Sequence, residues 1–397
     1  MMQYSKSVSC FRSSAIRDLM SLANRPDIIS FAGGMPGNEL FPVEDVKEII
    51  NNLSPQQWVD AMQYGPTAGY PPLIEAIKAW LKGKGFPVET NQVIITTGSL
   101  QALNITSKIF IDPEDTVLVE NPSFIGAISA FRSYQAKIKG VAIDADGIVI
   151  DELKKELDTT NPKFLYIMPN FHNPAGLIYS SQRREELLTA MANTNIPIVE
   201  DDAYGELLFD DDYKKDIVPL KCRAQNEQQI IYCGSFSKIF GPGLRLGYML
   251  VPNEIFRNAE ICKQSMDACT PCISQVLAHQ FMISGRMQRY IDHIRPIYKK
   301  RRDFMLETLQ RYLPKEATFV RPHGGFYIWV KMPQGVDETE LLKLVIDAGA
   351  VFVVGATFDP DEQPNGHIRI SYCNTPDEQI EKGIKIIGDT MKRLMAR

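Results

Sequence analysis

The strongest constraint on the fold is a rhythm of short apolar runs separated by amphipathic stretches. Residues 93–97 (VIITT), 116–120 (TVLVE), 164–168 (FLYIM), 196–200 (IPIVE) and 230–233 (IIYC) are short, rich in β-branched side chains, and bounded by Gly, Pro or Asn. Such runs read as strands buried on both faces. The stretches between them carry helical periodicity, as over 183–193. Strands alternating with helices predict an α/β fold, a mostly parallel sheet between layers of helices. Ligands in such sheets bind beyond the carboxyl ends of the strands. Ser99, Asn173, Asp201 and Lys238 all fall at or just after the end of a predicted strand, which predicts one shared site.

The pattern changes after about residue 285. A long charged helix (286–313) leads to a strand (326–330), a helix (338–347), two more strands (351–354 and 367–371) and a final amphipathic helix from 376. These elements predict a second, smaller α+β domain. A length of 397 residues suits two domains.

The most informative chemistry lies in Gly234-Ser235-Phe236-Ser237-Lys238-Ile239-Phe240-Gly241-Pro242-Gly243-Leu244-Arg245-Leu246-Gly247. One lysine, two hydroxyls and an arginine surround a glycine-rich bend with strand-like segments on either side. A lysine that forms a Schiff base with an aldehyde cofactor needs its amine positioned and partly desolvated. It also needs anion-binding groups nearby for the cofactor's phosphate. A lone lysine is most simply a solvated one. The full pattern S-x-S-K-x-x-x-P-G-x-R-x-G is what raises Lys238 above that reading.

That pattern resembles the pyridoxal 5'-phosphate enzymes of fold type I, specifically the class I/II aminotransferases. The resemblance continues in the family's order through Gly98-Ser99-Leu100-Gln101-Ala102, Asn173-Pro174-Ala175-Gly176, Asp201-Asp202-Ala203-Tyr204, Lys238 and Arg245, and Arg369-Ile370-Ser371-Tyr372. It covers nearly the whole chain. Ile29-Ser30-Phe31-Ala32-Gly33-Gly34-Met35-Pro36 and Gln63-Tyr64-Gly65-Pro66-Thr67-Ala68-Gly69-Tyr70 look like the branch of 2-aminoadipate and kynurenine aminotransferases. The resemblance implies an N-terminal arm (1–40) packed with the small domain, a large cofactor-binding domain (41–285) and a small C-terminal domain (286–397).

Each site residue has a physical reading and an implied role. Ser99, Leu100 and Gln101 open a helix after a strand, where free N–H groups and the helix dipole favour a phosphate. Alone, Ser99 would be a plain N-cap. Leu100 stands where the branch usually has a polar residue, so one side-chain contact to the phosphate is lost. Ser235, Ser237 and Arg245 would complete the phosphate cup, the arginine by its planar fork.

Asp201 ends an apolar strand and needs a partner. The resemblance makes that partner the cofactor's pyridine nitrogen, and the D-x-A-Y spacing selects Asp201 over Asp202. It also implies that Tyr204 and Asn173 bond the phenolic oxygen, and that Phe124 stacks on the ring where relatives more often use Tyr. Ala175 replaces the family's usual Thr. Tyr64 matches a tyrosine that reaches into a neighbouring subunit's phosphate site, which implies a homodimer. Its Q-Y-x-P-T context favours it over Tyr70.

Arg369 would grip the substrate α-carboxylate through two parallel bonds. Gly34 would offer a backbone contact nearby. Arg17 is balanced between a ligand for a side-chain carboxylate and a solvated helix residue.

Composition narrows the field. The net charge of -5 leaves no basic footprint for nucleic acid, and no apolar run is long enough to span a bilayer. No signal-peptide core follows Met1, and the seven scattered cysteines suit a reducing compartment, so a cytoplasmic location is expected. Cys269-Thr270-Pro271-Cys272 spells a C-x-x-C, but with no second pair and no H-x-x-x-H it reads as chance, and no metal is expected. The expected reaction is transamination between an L-amino acid (2-aminoadipate, aromatic or a broader range) and a 2-oxo acid, with 2-oxoglutarate implied by the resemblance. Lys238 would move the proton. A lyase or decarboxylase on the same cofactor is the first alternative. A non-enzymatic sensor is the second, and it would need a helix-turn-helix extension ahead of the arm.

Overall fold

The computed structural model describes residues 4–9, 19, 25 and 27–397. A short strand, β1 (Ile29–Ser30), precedes the main sheet. That sheet has eight strands: β2 (Asn91–Thr96), β3 (Thr116–Asn121), β4 (Lys137–Asp144), β5 (Gly147–Ile148), β6 (Leu165–Ile167), β7 (Ile198–Asp202), β8 (Ile230–Ser235) and β9 (Gly247–Pro252). Their spatial order is β2-β9-β8-β7-β6-β3-β4-β5. The run β8-β7-β6-β3-β4 is parallel, and β9 lies antiparallel to both β2 and β8.

The apolar runs form strands here because both faces of the sheet are covered. Val117, Val119, Tyr166, Val199, Ile231 and Cys233 face one core. Their alternates Leu118, Leu165, Ile167, Ile198 and Ile230 face another. The period of two thus splits each run between two apolar layers. Strand β7 begins after Pro197, which cannot donate to the ladder. It therefore lies two residues later than the sequence pattern predicts, and Asp201 and Asp202 sit inside it. Strand β4 alternates charge with small and apolar residues near the sheet edge, so its sequence carries no buried-strand signature.

A second sheet, order β10-β11-β14-β13, comprises β10 (Thr318–Phe319), β11 (Tyr327–Lys331), β13 (Val353–Val354) and β14 (His367–Ser371), all antiparallel. Strand β12 (Ala350–Val351) pairs in parallel with β1. Segment 29–32 is also tied to this region through Phe31, whose N–H donates to Val351 and whose carbonyl accepts from Ser371. The helices Arg286–Tyr312 and Asp377–Met395 pack together, and Gly388 lets the second approach the Tyr312 carbonyl. Among the described residues, no helix is long and apolar enough to cross a membrane.

Candidate active site

Strand β8 carries the chain into a tight loop. Phe236 N–H bonds the Leu246 carbonyl at 3.1 Å, and Phe240 N–H returns to Phe236 at 2.9 Å. Lys238 projects from this loop. Its Nζ donates to the Gly34 carbonyl at 2.6 Å, between the rings of Tyr204 and Phe326 (centroids at 5.7 and 5.6 Å). Burial lowers its pKa to about 8; Arg369 and Arg245 push the same way, and Cys373 opposes them. The neutral amine is therefore accessible near physiological pH, as a nucleophile or base requires.

Asp201 is buried at the carboxyl end of β7. Its Oδ2 accepts from the Tyr166 hydroxyl at 3.0 Å, while its Oδ1 is buried without a partner among the described residues. Burial raises its pKa to about 7, with the Tyr166 bond opposing and Asp202 and Glu120 adding to the rise. A bare carboxylate oxygen in such a place is costly unless a cation or donor meets it. Asp202 is committed elsewhere, to Tyr232 (2.9 Å) and Asn170 (3.2 Å). Neighbours in a strand point to opposite faces.

The anion end assembles around Gly98 and Gly247. Gly98 has φ 77° and caps the helix Ser99–Phe110, whose Ser99 and Leu100 N–H groups meet no side-chain cap. A Cβ at Gly247 would lie 2.9 Å from Gly98 C and 3.0 Å from both Ser99 N and the Gly234 carbonyl. Only glycine lets the two loops touch. Ser235 Oγ accepts from Ser237 N–H at 3.1 Å. Arg245, at φ 49°, bonds the carbonyls of Pro242 (3.1 Å) and Thr97 (3.5 Å), which places its guanidinium over the Gly98 turn. This cradle suits a phosphate dianion. Gln101 has its side chain turned away, accepting from Thr97 N–H at 2.8 Å and donating to Asp267 at 2.7 Å, and Leu100 is exposed. Leu100 offers backbone only, and the Gln101 N–H already bonds the Gly98 carbonyl at 3.2 Å.

Arg369 is fully buried in β14, between β11 and β13. Its guanidinium donates to Asn173 Oδ1 at 2.8 Å and to the Ala32 carbonyl, and it lies against the rings of Tyr327 (4.2 Å) and Phe358 (4.8 Å). Its Nε has no partner. Among the described residues no carboxylate bonds it. A buried cation with only neutral partners is an uncompensated charge, and a carboxylate ligand would complete it.

Tyr204 is buried, with its hydroxyl 3.1 Å from that of Tyr327. Phe124 is half-buried at the start of the helix Ile125–Ser133. Tyr64 stands apart, 86% exposed beside exposed Met62. Arg17 lies outside the described residues. A cleft of about 720 Å³ opens beside the Asn173 loop, lined in part by Asn121, Gly176, Arg321, Trp329 and His367. None of Lys238, Asp201, Tyr204 or Arg369 lines it.

The sequence reading passed over Tyr166 and Tyr327. Both lie inside strands, where an aromatic residue reads as core, and only their hydroxyl partners distinguish them. Asp267, which takes Gln101 and Thr97 (2.9 Å) behind the phosphate cradle, gave no signal either.

The residues present fit pyridoxal 5'-phosphate. The bare Asp201 Oδ1 suits a protonated ring nitrogen, the Gly98 cradle suits a phosphate, and Lys238 is a desolvated amine. Comparison with known proteins agrees. The family model for aminotransferase class I and II matches residues 27–387. Aromatic-amino-acid aminotransferase 1 of Thermococcus litoralis is 34% identical over 400 residues, covering 99% of this chain and 95% of that one. The 2-aminoadipate transaminase of Thermus thermophilus is 35% identical, covering 99% and 97%. Kynurenine aminotransferase of Pyrococcus horikoshii, solved with PMP, superposes with a TM-score of 0.93 at 36% identity, covering 98% and 97%.

Proposed function

The chain belongs to the class I and II aminotransferase family and is a pyridoxal 5'-phosphate-dependent enzyme of amino-group transfer; from that premise we propose how its residues divide the work. The observation that carries the reading is the Lys238 amine, enclosed, held on the Gly34 carbonyl and lowered to a pKa of about 8 by burial. The cofactor supplies an aldehyde that takes up the substrate nitrogen and a protonated ring that stabilises the carbanion left at the α-carbon.

Lys238 would hold that aldehyde through its amine and, when free and neutral, would serve as the base that takes the substrate α-proton and the acid that gives it back. Asp201 keeps the ring nitrogen protonated through its bare Oδ1. Ser99, Leu100, Gln101, Ser235, Ser237 and Arg245 hold the phosphate. Phe124 covers the ring. Tyr204 and the free amide of Asn173 donate to the phenolic oxygen. Arg369 binds the α-carboxylate, and Gly34, whose carbonyl accepts from Lys238, offers a backbone contact near it. Arg17 stays assigned to a side-chain carboxylate only as a proposal of the arm.

Tyr64 is given to a second subunit of a homodimer. Its exposure, continuous with Trp58, Val59 and Met62, supports that placement. Division of the chain at about 40 and 285 puts the substrate where the arm, the large unit and the small unit meet. The donor range we propose is 2-aminoadipate, aromatic amino acids or broader, with 2-oxoglutarate as acceptor, and the location is cytoplasmic.

The test is the near-UV and visible spectrum of the loaded enzyme before and after L-glutamate, without any keto acid. Conversion of the aldehyde band to the aminated form is expected. No cofactor band after adding cofactor, or native turnover by Lys238→Ala, would overturn the reading. Keto acid formed catalytically, beyond one equivalent per bound cofactor and without an acceptor, would replace transfer with elimination.

A further inference from the structure

Tyr327 holds none of the roles above, yet it touches three groups that do. It opens β11 and is buried. Its hydroxyl lies 3.1 Å from the Tyr204 hydroxyl. Its ring supports the Arg369 guanidinium, 4.2 Å from Cζ to centroid. The same hydroxyl fills the space where a side chain at position 34 would begin, so the Gly34 backbone that accepts the Lys238 amine runs against it.

We propose that Tyr327 is a positioning residue for amino-group transfer: its hydroxyl donates to the Tyr204 oxygen, so that the single Tyr204 proton points at the cofactor's phenolic oxygen, while its ring orients Arg369 for the substrate carboxylate. The proposal rests on the role given to Tyr204 above. A phenol carries one proton and can accept as well as donate. If Tyr204 donated to Tyr327, it would have nothing left for the cofactor. Burial raises the pKa of both phenols, so both stay protonated in the working range. Arg369 favours negative charge on both oxygens, which makes each O–H a better donor. Hydrogen bonds in a chain strengthen one another by roughly 10–30%. A wall-only role for Tyr327 would need the ring and not the hydroxyl.

The cofactor's absorbance changes with pH, and the midpoint reports on donors to its phenolic oxygen without any turnover. Such donors draw off charge that would otherwise hold a proton on the neighbouring nitrogen, so removing one raises the midpoint. Tyr204→Phe should raise it by roughly 1–2 pH units, as loss of a hydrogen bond to a charged oxygen implies. Tyr327→Phe should raise it by on the order of 0.5 unit. The double variant should match Tyr204→Phe alone, because Tyr327 acts through Tyr204. Tyr327→Phe keeps the ring and should leave the amino acid KM unchanged. Tyr327→Leu should raise that KM severalfold by removing the face beneath Arg369. An unmoved midpoint in Tyr327→Phe, beside a moved one in Tyr204→Phe, overturns this proposal and leaves the transferase reading intact. Additive shifts in the double variant also overturn it. A wild-type enzyme that takes up no cofactor overturns both.

Discussion

Asp201→Asn removes the charge that gives the site its purpose, and its cost follows from burial. In the cofactor-free protein the Asp201 pKa rises from 3.8 to about 7. A gap of roughly three units is worth about 4 kcal/mol. The sign is fixed by proton counting. The folded chain keeps this proton up to about pH 7, while the unfolded chain releases it near pH 4. Stability contributed by the protonated group is therefore lost as pH rises through that window, and the loss is complete above pH 7. Across pH 5 to 8 the share is about 3 kcal/mol. Glu200, also pushed up to about 7 by burial, is present in both proteins, so the difference between them isolates Asp201.

Urea unfolding of cofactor-free wild type and Asp201→Asn at pH 5, 6, 7 and 8 should show wild type losing about 3 kcal/mol relative to the variant. Saturation with cofactor should remove most of that slope, since the ring nitrogen then meets Oδ1. With cofactor bound, the variant should lose about 10²–10⁴ in kcat, the cost of breaking a buried charged pair. A stability difference that stays constant from pH 5 to 8 would refute the argument, as would a native kcat.

Three further perturbations probe the rest of the site. Arg369→Lys keeps the charge but loses the planar fork, and steady-state kinetics should show the amino acid KM rising about 10–100-fold. Gly247→Ala forces a methyl against the Gly98–Ser99 peptide, so cofactor affinity by fluorescence titration should fall and the fold should lose about 1–3 kcal/mol. Tyr64→Ala alters a side chain that is 86% exposed in the single subunit, so its unfolding should change by less than about 0.5 kcal/mol. Its cofactor affinity should still fall severalfold, and an unchanged affinity in the dimer would remove Tyr64 from the phosphate site.

How much of this was legible in the chain differs from residue to residue. The strands β2, β3, β6 and β8 follow from β-branched runs, because a strand buried on both faces must be apolar throughout. Strand β4 escapes that rule because it lies near the sheet edge and carries Lys137 and Lys139. Strand β7 starts late because Pro197 cannot join the ladder. Lys238, Asp201, Asn173, Arg245 and Arg369 stand out in sequence because polar residues beside or within apolar strands, in an ordered set of motifs, have few structural explanations. Tyr166 and Tyr327 are invisible there, since a strand tyrosine is first a core aromatic and its hydroxyl acquires meaning only from its partner.

The sequence by itself therefore determined the layered α/β plan and the family, and it nominated the groups proposed to do the chemistry. All of these rest on local pattern: side-chain period, β-branching, glycine-rich bends and motif order. Tertiary structure alone decided their physical state. Among the described residues it left Asp201 Oδ1 bare and gave Arg369 no carboxylate, and it lowered the Lys238 amine to a pKa of about 8. Those are effects of desolvation and long-range contact, joining residue 34 to 238 and 204 to 327. No local window of the chain contains both partners of either pair.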